Sequence, residues 1–199
     1  MFRQVPVVGL PVTMTDIIHS FSYKGQLQAL NGYLANENLL FADSATSCIY
    51  LTLEAMKRCR EADEVVIPAY TASSVVIAVK EAGLKPVLCD ISLKDFNMDT
   101  GQLEEVITEK TLCIITVHMF GIISKIQSGI RQRFPDIFII EDCAQAMGGR
   151  IDGVPAGTGG DAGVFSFNRG KNMSTFGGGC IAVNNKQLVE PVSEVAQID

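Results

Sequence analysis

Residues 137–146 read Ile-Phe-Ile-Ile-Glu-Asp-Cys-Ala-Gln-Ala, an apolar run that stops at two carboxylates. A continuous apolar run of this length, without polar alternation, is typical of a strand covered on both faces. The same pattern recurs in six other short segments, which are 39–42, 64–67, 86–91, 112–118, 163–167 and 180–183. The sequence therefore predicts a largely buried sheet.

Amphipathic stretches with helical spacing lie between these runs. The first has Ser44 placed to cap its start and Lys57, Arg58 and Arg60 near its end, where a helix favours cations. Three more are centred on 75–79, 103–107 and 126–130, with Gly83, Asp99 and Pro135 at their boundaries. Strands that alternate with helices predict an α/β fold in which a mostly parallel sheet lies between helical layers.

Length and composition exclude several classes of protein. The chain has 199 residues, of which 47% are hydrophobic, and a net charge of −6. We expect a single domain over 1–199, with an N-terminal segment at 1–38, a core at 39–185 and the start of a C-terminal helix at 186–199. Because no basic run and no apolar segment of about 18 residues occurs, neither nucleic-acid binding nor a membrane span is predicted. The high apolar content requires cover from a subunit interface or from a further domain, and the sequence does not choose between them.

The cysteines predict a reducing compartment. Most lie within apolar runs, and they form no CxxC pair and no metal-ligand spacing with His19 or His118; they are Cys48, Cys59, Cys89, Cys113, Cys143 and Cys180. We therefore expect buried free thiols, no metal site and a cytoplasmic protein. The apolar stretch at 5–12 is interrupted by Pro6 and Pro11 and is followed by no cleavage site, so a signal peptide is not predicted.

Three predicted strand ends carry groups that could meet a ligand. Asp142 ends the quoted run, Lys171 lies between a strand and a triple glycine, and the hydroxyls of Thr46 and Ser47 open the first helix. Each has an ordinary explanation: Asp, Ser and Thr are common cap residues, and most lysines are solvated. In open α/β sheets, however, ligands bind beyond the carboxyl ends of the strands. The topology therefore predicts that these groups converge.

Together the three groups match the needs of pyridoxal 5′-phosphate. That cofactor requires an amine for a Schiff base, a carboxylate that keeps the pyridine nitrogen protonated, and a helix N-terminus for its phosphate. Lys171, Asp142 and the segment with Thr46 and Ser47 offer these groups in turn. The sequence thus predicts a pyridoxal phosphate site.

Two nucleotide-binding motifs are incomplete. The segment 157–162 fits a loose G-x-G-x-x-A pattern, but it precedes a strand instead of joining a strand to a helix. Gly170 and Lys171 resemble the end of a Walker A motif, yet Phe165 occupies the upstream glycine position and Asn172 the Ser or Thr position. Neither motif predicts a nucleotide cofactor.

Four segments resemble one enzyme family in order and spacing. They are 64–71 (EVVIPAYT), 117–121 (VHMFG), 141–146 (EDCAQA) and 165–172 (FSFNRGKN). Over about 39–185 the chain resembles the DegT/DnrJ/StrS sugar-nucleotide aminotransferases of the aspartate aminotransferase superfamily, fold type I. The resemblance implies a three-layer α/β/α large domain with one antiparallel strand, and a homodimer whose active sites draw on both subunits. It also implies transfer of an amino group, from glutamate, to a keto sugar nucleotide.

The resemblance also implies roles for single residues. Lys171 would form the Schiff base and move the proton between cofactor and substrate carbons, Asp142 would pair with the pyridinium nitrogen, and Gln145 would lie near the phenolic oxygen. Lysine at position 171 favours transamination over the related dehydratases, which have histidine there. The phosphate would be bound by the hydroxyl groups of Ser166, Thr46 and Ser47.

The chain departs from the family in several places. Ala72 stands where the family has an aromatic residue that stacks on the cofactor, and Tyr70 is a candidate substitute. Arg169 and Gly170 replace the usual Pro-Thr or Pro-Ser, and 176–177 replace Gly-Glu. The family's N-terminal substrate loop is not recognisable in 1–38, and its small C-terminal domain is expected to be absent.

Three hypotheses follow for the function. The first is an active aminotransferase, the second is a truncated or non-catalytic module that binds cofactor or dimerises, and the third is a fragment of a longer enzyme. The sequence gives neither the sugar nor the carbon that would be aminated.

Overall fold

The computed structural model describes residues 13–15 and 26–198. Its helices are α1 (Gln26–Leu34), α2 (Ala45–Cys59), α3 (Ser73–Glu81), α4 (Thr100–Val106), α5 (Ile126–Arg133) and α6 (Lys186–Ile198). Its strands are β1 (Leu39–Ala42), β2 (Glu64–Pro68), β3 (Lys85–Cys89), β4 (Thr111–Val117), β5 (Phe138–Asp142), β6 (Arg150–Ile151), β7 (Val154–Pro155), β8 (Ala162–Ser166) and β9 (Gly179–Val183). The apolar stretch at 5–12 and His19 lie outside the described residues.

One seven-stranded sheet organises the chain. Its strand order is β1-β9-β8-β5-β4-β2-β3, and β9 is antiparallel to both of its neighbours. The pairs among β8, β5, β4, β2 and β3 are parallel. The seven predicted strands are confirmed, as is the single antiparallel strand that the family resemblance implied.

Helices cover both faces of the sheet. Alternation along β4 sends Cys113 and Ile115 into a core shared with α2, α3 and α6, whereas Ile114 packs in a second core with Leu103 of α4 and Ile130 of α5. Because both faces are covered, β2, β4, β5, β8 and β9 are buried along their whole length. The predicted three-layer α/β/α architecture is confirmed.

Side-chain caps fix where two of the helices begin. Ser44 precedes α2, and its Oγ accepts a hydrogen bond from the Ser47 amide at 3.1 Å. Asp99 precedes α4 and accepts from the amides of Gly101 and Gln102. Both caps agree with the sequence prediction, since Ser and Asp satisfy the first amides of a helix.

Other features of the described residues bear on the earlier expectations. No helix among them has the length and apolar character needed to cross a bilayer. Five of the six cysteines are buried as free thiols, as predicted, whereas Cys59 is exposed. The hairpin of β6 and β7 was not predicted, because its two-residue strands are too short to produce a period-two pattern.

Candidate active site

A cavity of about 250 Å³ opens at the carboxyl edge of the sheet. Its wall includes Thr46, Asp142, Gln145, Ser166 and Lys171. Asp142 ends β5 and Ser166 ends β8, while Thr46 lies in the first turn of α2. The three strand ends that the sequence singled out therefore converge on one cavity.

Glycines bring the elements of the site close together. At Gly179, the start of β9, an added Cβ would lie 2.6 Å from the Ala45 amide nitrogen. Gly178 has a φ of +97°, which residues with a side chain rarely adopt, and the Gly178 amide donates to the Asp43 carbonyl at 2.9 Å. The triple glycine thus seats β9 against the start of α2, and Gly177 and Gly178 also line the cavity.

Asp142 is a buried carboxyl group directed to this cavity. Its Oδ1 accepts a hydrogen bond from the Ala144 amide at 2.9 Å, and the residue is 7% exposed. Burial raises the pKa of Asp142 above its ordinary value, and the Ala144 amide and the charge of Lys171 only partly oppose this effect. A cation beside this carboxyl group would therefore stabilise its ionised form.

The neighbouring Glu141 points to the other side of β5, where it contacts His118. The distance from His118 Nε2 to Glu141 Oε2 is 2.8 Å, and both residues are buried. The Ser124 amide donates to His118 Nδ1 at 3.1 Å, so Nε2 carries the proton that is donated to Glu141. The His118 amide also donates to the Asp142 carbonyl at 3.1 Å, which ties the end of β4 to the end of β5.

The glycine-rich turn at 157–160 completes the environment of Glu141. Three backbone amides of this turn donate hydrogen bonds to the Glu141 carboxylate. The donor–acceptor distance is 3.1 Å for Gly157 and 2.6 Å for both Gly159 and Gly160. Burial alone would raise the pKa of Glu141, but the bonds from His118, Gly160 and Gly157 hold it below its ordinary value. This turn, which looked like a nucleotide motif in the sequence, therefore binds a side chain of its own chain.

We expect Glu141→Gln to destabilise the protein by about 3–5 kcal/mol, the range for breaking a buried charged network. A glutamine would turn an NH₂ group toward donors, because both carboxylate oxygens of Glu141 accept hydrogen bonds. The loss is present above pH 4.5, the ordinary pKa of this carboxyl group, and fades as the pH falls through its lowered folded value. Urea unfolding measures the change. In the exposed Glu104–Arg133 pair, Glu104→Gln is the control, with a change below about 1 kcal/mol; equal effects of the two changes would refute the assignment.

His118, Glu141 and Cys143 form a cluster whose potential ligand atoms lie within 4.8 Å of one another. The sequence spacing did not indicate this cluster, because sheet pairing brings β4 next to β5. Both ring nitrogens of His118 and both oxygens of Glu141 are engaged in hydrogen bonds. Those bonds account for the cluster as part of the protein's internal structure.

Two of the predicted site residues lie outside the cavity wall. The Ser47 hydroxyl lies 2.9 Å from Ser44 Oγ, within the cap of α2. Tyr70 is 51% exposed and packs with Phe96 and Phe120 in an aromatic cluster, at centroid distances of 6.3 and 6.4 Å. Neither side chain belongs to the cavity wall, although Ser44, the partner of Ser47, does.

Thr71 is a wall residue that was not singled out from the sequence, whereas Ala72 and Gln145 were. Ala72 lies in the wall, and none of the described wall residues is aromatic. Thr71 also lines the cavity, and its buried hydroxyl oxygen has no hydrogen-bond partner within the described part of the chain. Gln145 does line the cavity as predicted, and its Oε1 accepts a hydrogen bond from the Phe120 amide at 3.0 Å.

Comparison with protein families gives one match that covers most of the chain. The profile of the DegT/DnrJ/EryC1/StrS aminotransferase family matches residues 24–197. This match contains every strand and helix of the layered domain up to the last turn of α6.

Individual relatives agree with the family match. The chain is 37% identical over 146 residues to a dTDP-3-amino-3,4,6-trideoxy-alpha-D-glucose transaminase of Micromonospora megalomicea, which covers 72% of this chain and 38% of the relative. It is 31% identical over 179 residues to a GDP-4-keto-6-deoxy-D-mannose 3-dehydratase of Yersinia pseudotuberculosis. That match covers 87% of this chain and 42% of the relative. The chain thus spans less than half the length of these relatives.

Solved structures share the fold. The putative sugar aminotransferase Spr1654 of Streptococcus pneumoniae, in its PLP form, superposes with a TM-score of 0.80 at 26% identity. The superposition covers 94% of this chain and 55% of that one.

Proposed function

Because this chain belongs to the DegT/DnrJ/EryC1/StrS aminotransferase family, we propose that it binds pyridoxal 5′-phosphate and takes part in amino transfer. The proposed reaction moves an amino group, from glutamate as donor, to a keto sugar nucleotide. One observation carries the proposal: an amine, a buried carboxyl group and hydroxyl groups line a single cavity at the carboxyl edge of the sheet. This donor set fits the aldehyde, the pyridine nitrogen and the phosphate of the cofactor.

The chain's own residues would divide the work as follows. When bound, pyridoxal phosphate supplies an electron sink for a substrate carbanion. The Lys171 amine would hold the cofactor covalently and would move a proton, and its half-buried position at the cavity wall suits both roles. Asp142 would keep the ring nitrogen protonated through its negative charge.

The remaining contacts concern the phosphate and the phenolic oxygen. Thr46 lies in the first turn of α2, where helix geometry favours an anion, and Ser166 ends the adjoining strand β8. Gln145 would lie beside the phenolic oxygen. We keep Ser47 and Tyr70 only as secondary candidates, since their side chains lie outside the wall.

The substrate class rests on named relatives. The name of the Micromonospora relative specifies a dTDP-linked sugar, and the name of the Yersinia relative specifies a GDP-linked sugar. Lysine at position 171 supports transamination for this chain rather than dehydration.

We further propose a cytoplasmic homodimer. Buried free thiols support a reducing compartment. Exposed aromatic residues beside the cavity, Tyr70, Phe96 and Phe120, support cover by a second subunit.

The decisive experiment combines cofactor loading with a transamination assay. Incubation with pyridoxal phosphate, reduction with borohydride and peptide mass mapping should place the adduct on Lys171. In a separate, unreduced sample, glutamate and a keto sugar nucleotide should give an amino sugar. An adduct spread over surface lysines, or no cofactor uptake, contradicts the proposal.

A second candidate function is a non-catalytic cofactor-binding module. Ala72 favours it, because the described wall offers no aromatic ring to stack on the cofactor. Stable loading of Lys171 without turnover on any amino donor would support this candidate. Intact mass of the native protein distinguishes both candidates from a piece of a longer enzyme.

Ala72→Phe should tighten pyridoxal phosphate binding by roughly 2- to 10-fold, because ring stacking is worth about 0.5–1.5 kcal/mol. The side chain of Ala72 is exposed at the cavity, so a larger residue has room. Equilibrium titration of the cofactor's absorbance measures the affinity. Ala72→Leu is the control, because it adds apolar surface without an aromatic ring. An equal rise in cofactor affinity in both variants would argue against stacking.

A further inference from the structure

Arg169 and Phe176 form a stacked pair beside the cavity. The Arg169 guanidinium carbon lies 5.3 Å from the centroid of the Phe176 ring. Both residues are exposed, and Phe176 is 56% exposed. An arginine packed on an aromatic face is ordered before any ligand arrives, so it loses less freedom on binding.

The backbone conformation at Phe176 positions its ring for the contact with Arg169. Phe176 has a φ of +69°, a left-handed conformation that is uncommon and costly for a bulky residue. The Thr175 hydroxyl donates to the Gly177 carbonyl at 2.7 Å and holds the turn on both sides of Phe176. The turn therefore presents the ring to Arg169 instead of burying it.

Arg169 differs from the other arginines of the described chain in having uncommitted donors. Its guanidinium makes no hydrogen bond or ion pair with any described residue. The others are occupied by a carboxylate or a carbonyl group: Arg58 by Glu194, Arg60 by Thr111, Arg131 by Asp161, Arg133 by Glu104 and Arg150 by Gly153. A guanidinium offers five N–H donors in a planar fork that suits phosphate and carboxylate.

The stacked pair lies at the rim of the cavity. Asn168 and Lys171 line the cavity on either side of Arg169 in sequence, and Gly177 lines it next to Phe176. Arg169 and Phe176 themselves are outside the wall and face solvent. An anion entering the cavity would therefore pass a stacked cation that pairs with no carboxylate of the described residues.

We propose that Arg169, stacked on Phe176, binds the diphosphate of the sugar-nucleotide substrate, an inference that rests on the function proposed above. The keto sugar must reach Lys171 inside the cavity, whereas the diphosphate is bulky, charged and best kept at the solvent edge. The chain has a net charge of −6, and Asp43 and Asp142 line the cavity. A local cation at the rim is thus needed to attract a doubly phosphorylated ligand.

The test measures binding of UDP and dTDP to the full chain loaded with pyridoxal phosphate, by calorimetry at low salt. Arg169→Ala should weaken binding of these diphosphates about tenfold, the loss expected for one charge-assisted contact. It should also reduce the dependence of their affinity on salt. Arg169→Lys should fall between wild type and Arg169→Ala, because it keeps the charge and loses the fork.

Arg150→Ala is the matched control. Arg150 is also exposed and stacks on an aromatic ring, that of Tyr33 at 5.2 Å, but it lies outside the cavity wall. This variant should bind both diphosphates like the wild type. Phe176→Leu should reproduce part of the loss in Arg169→Ala, since Arg169 would lose its support.

Three results would overturn the inference: unchanged diphosphate affinity in Arg169→Ala, equal losses in Arg150→Ala, or no diphosphate binding by the wild type. If the first of these results comes with weaker cofactor binding in Arg169→Ala, the contact belongs to the cofactor phosphate. Mapping of the reduced adduct to Lys171 is measured separately. The cofactor site can therefore hold while the role of Arg169 fails.

Discussion

Lys171→Ala should abolish covalent attachment of pyridoxal phosphate at the cavity and lower transamination by at least about 1,000-fold, within the range for losing a positioned proton-transfer group. Alanine has no amine to attach the cofactor or to move a proton. The fold should persist, because Lys171 is half-buried in the loop between β8 and β9 and lies outside the hydrophobic cores. Borohydride reduction with peptide mapping measures attachment, and far-ultraviolet circular dichroism checks the fold.

Lys94→Ala is the control for this prediction. Lys94 is exposed in the loop between β3 and α4 and does not line the cavity. Its replacement should leave attachment and turnover unchanged. Reduced adduct at the wild-type level in Lys171→Ala would remove lysine 171 from the proposed role.

Asp142→Asn should lower transamination by about 100-fold or more, the scale for removing one well-placed electrostatic group from an active site. A neutral amide no longer favours a protonated ring nitrogen. Cofactor should still bind, because Lys171 and the phosphate contacts remain. The amide oxygen can keep the hydrogen bond from the Ala144 amide, which makes the change nearly isosteric.

The same substitution should stabilise the cofactor-free protein at neutral pH. Burial raises the folded pKa of Asp142 above 3.8, so between the two pKa values the folded state binds more protons than the unfolded chain. Stability from this group therefore falls as the pH rises through that window, and asparagine removes the dependence. Thermal unfolding of the cofactor-free wild type and Asp142→Asn, measured between pH 4 and 8 at intervals of about one pH unit, gives this pH dependence of stability.

Asp152→Asn serves as the control for Asp142→Asn. Asp152 pairs with Lys125 at the surface, and its side chain is 80% exposed. This change should leave turnover unaffected. Normal turnover by Asp142→Asn would refute the role of the carboxylate, and lower stability at neutral pH would refute the desolvation argument.

Much of the fold could be predicted from local patterns. The runs that became β2, β4 and β5 are continuous and apolar because both faces of each strand pack against other layers. The caps Ser44 and Asp99 were visible because capping depends on neighbours within three residues. The hairpin of β6 and β7 has a local turn signal, Asp152-Gly153, with φ values of +51° and +83°, but its two-residue strands give no strand pattern beside it.

The candidate site was predictable in part. Lys171, Asp142, Ser166, Gln145 and Thr46 reach one cavity because the carboxyl ends of neighbouring strands share an edge of the sheet. Ser47 and Tyr70 do not, because side-chain direction depends on contacts with Ser44 and with an aromatic cluster. The aromatic cluster joins residues far apart in the chain, so it could not be predicted from spacing.

The sequence by itself determined the layered α/β fold, the order of its strands along the chain and the chemical groups at their ends, since these depend on hydrophobic periodicity and residue type. The tertiary structure alone decided the contacts outside that predicted set of strand-end groups. Sheet pairing placed the glycine turn at 157–160 around Glu141, and a left-handed turn at Phe176 set its ring against the Arg169 guanidinium. Such contacts join residues that are far apart in the chain, and local sequence patterns carry no information about which distant residues come close in space.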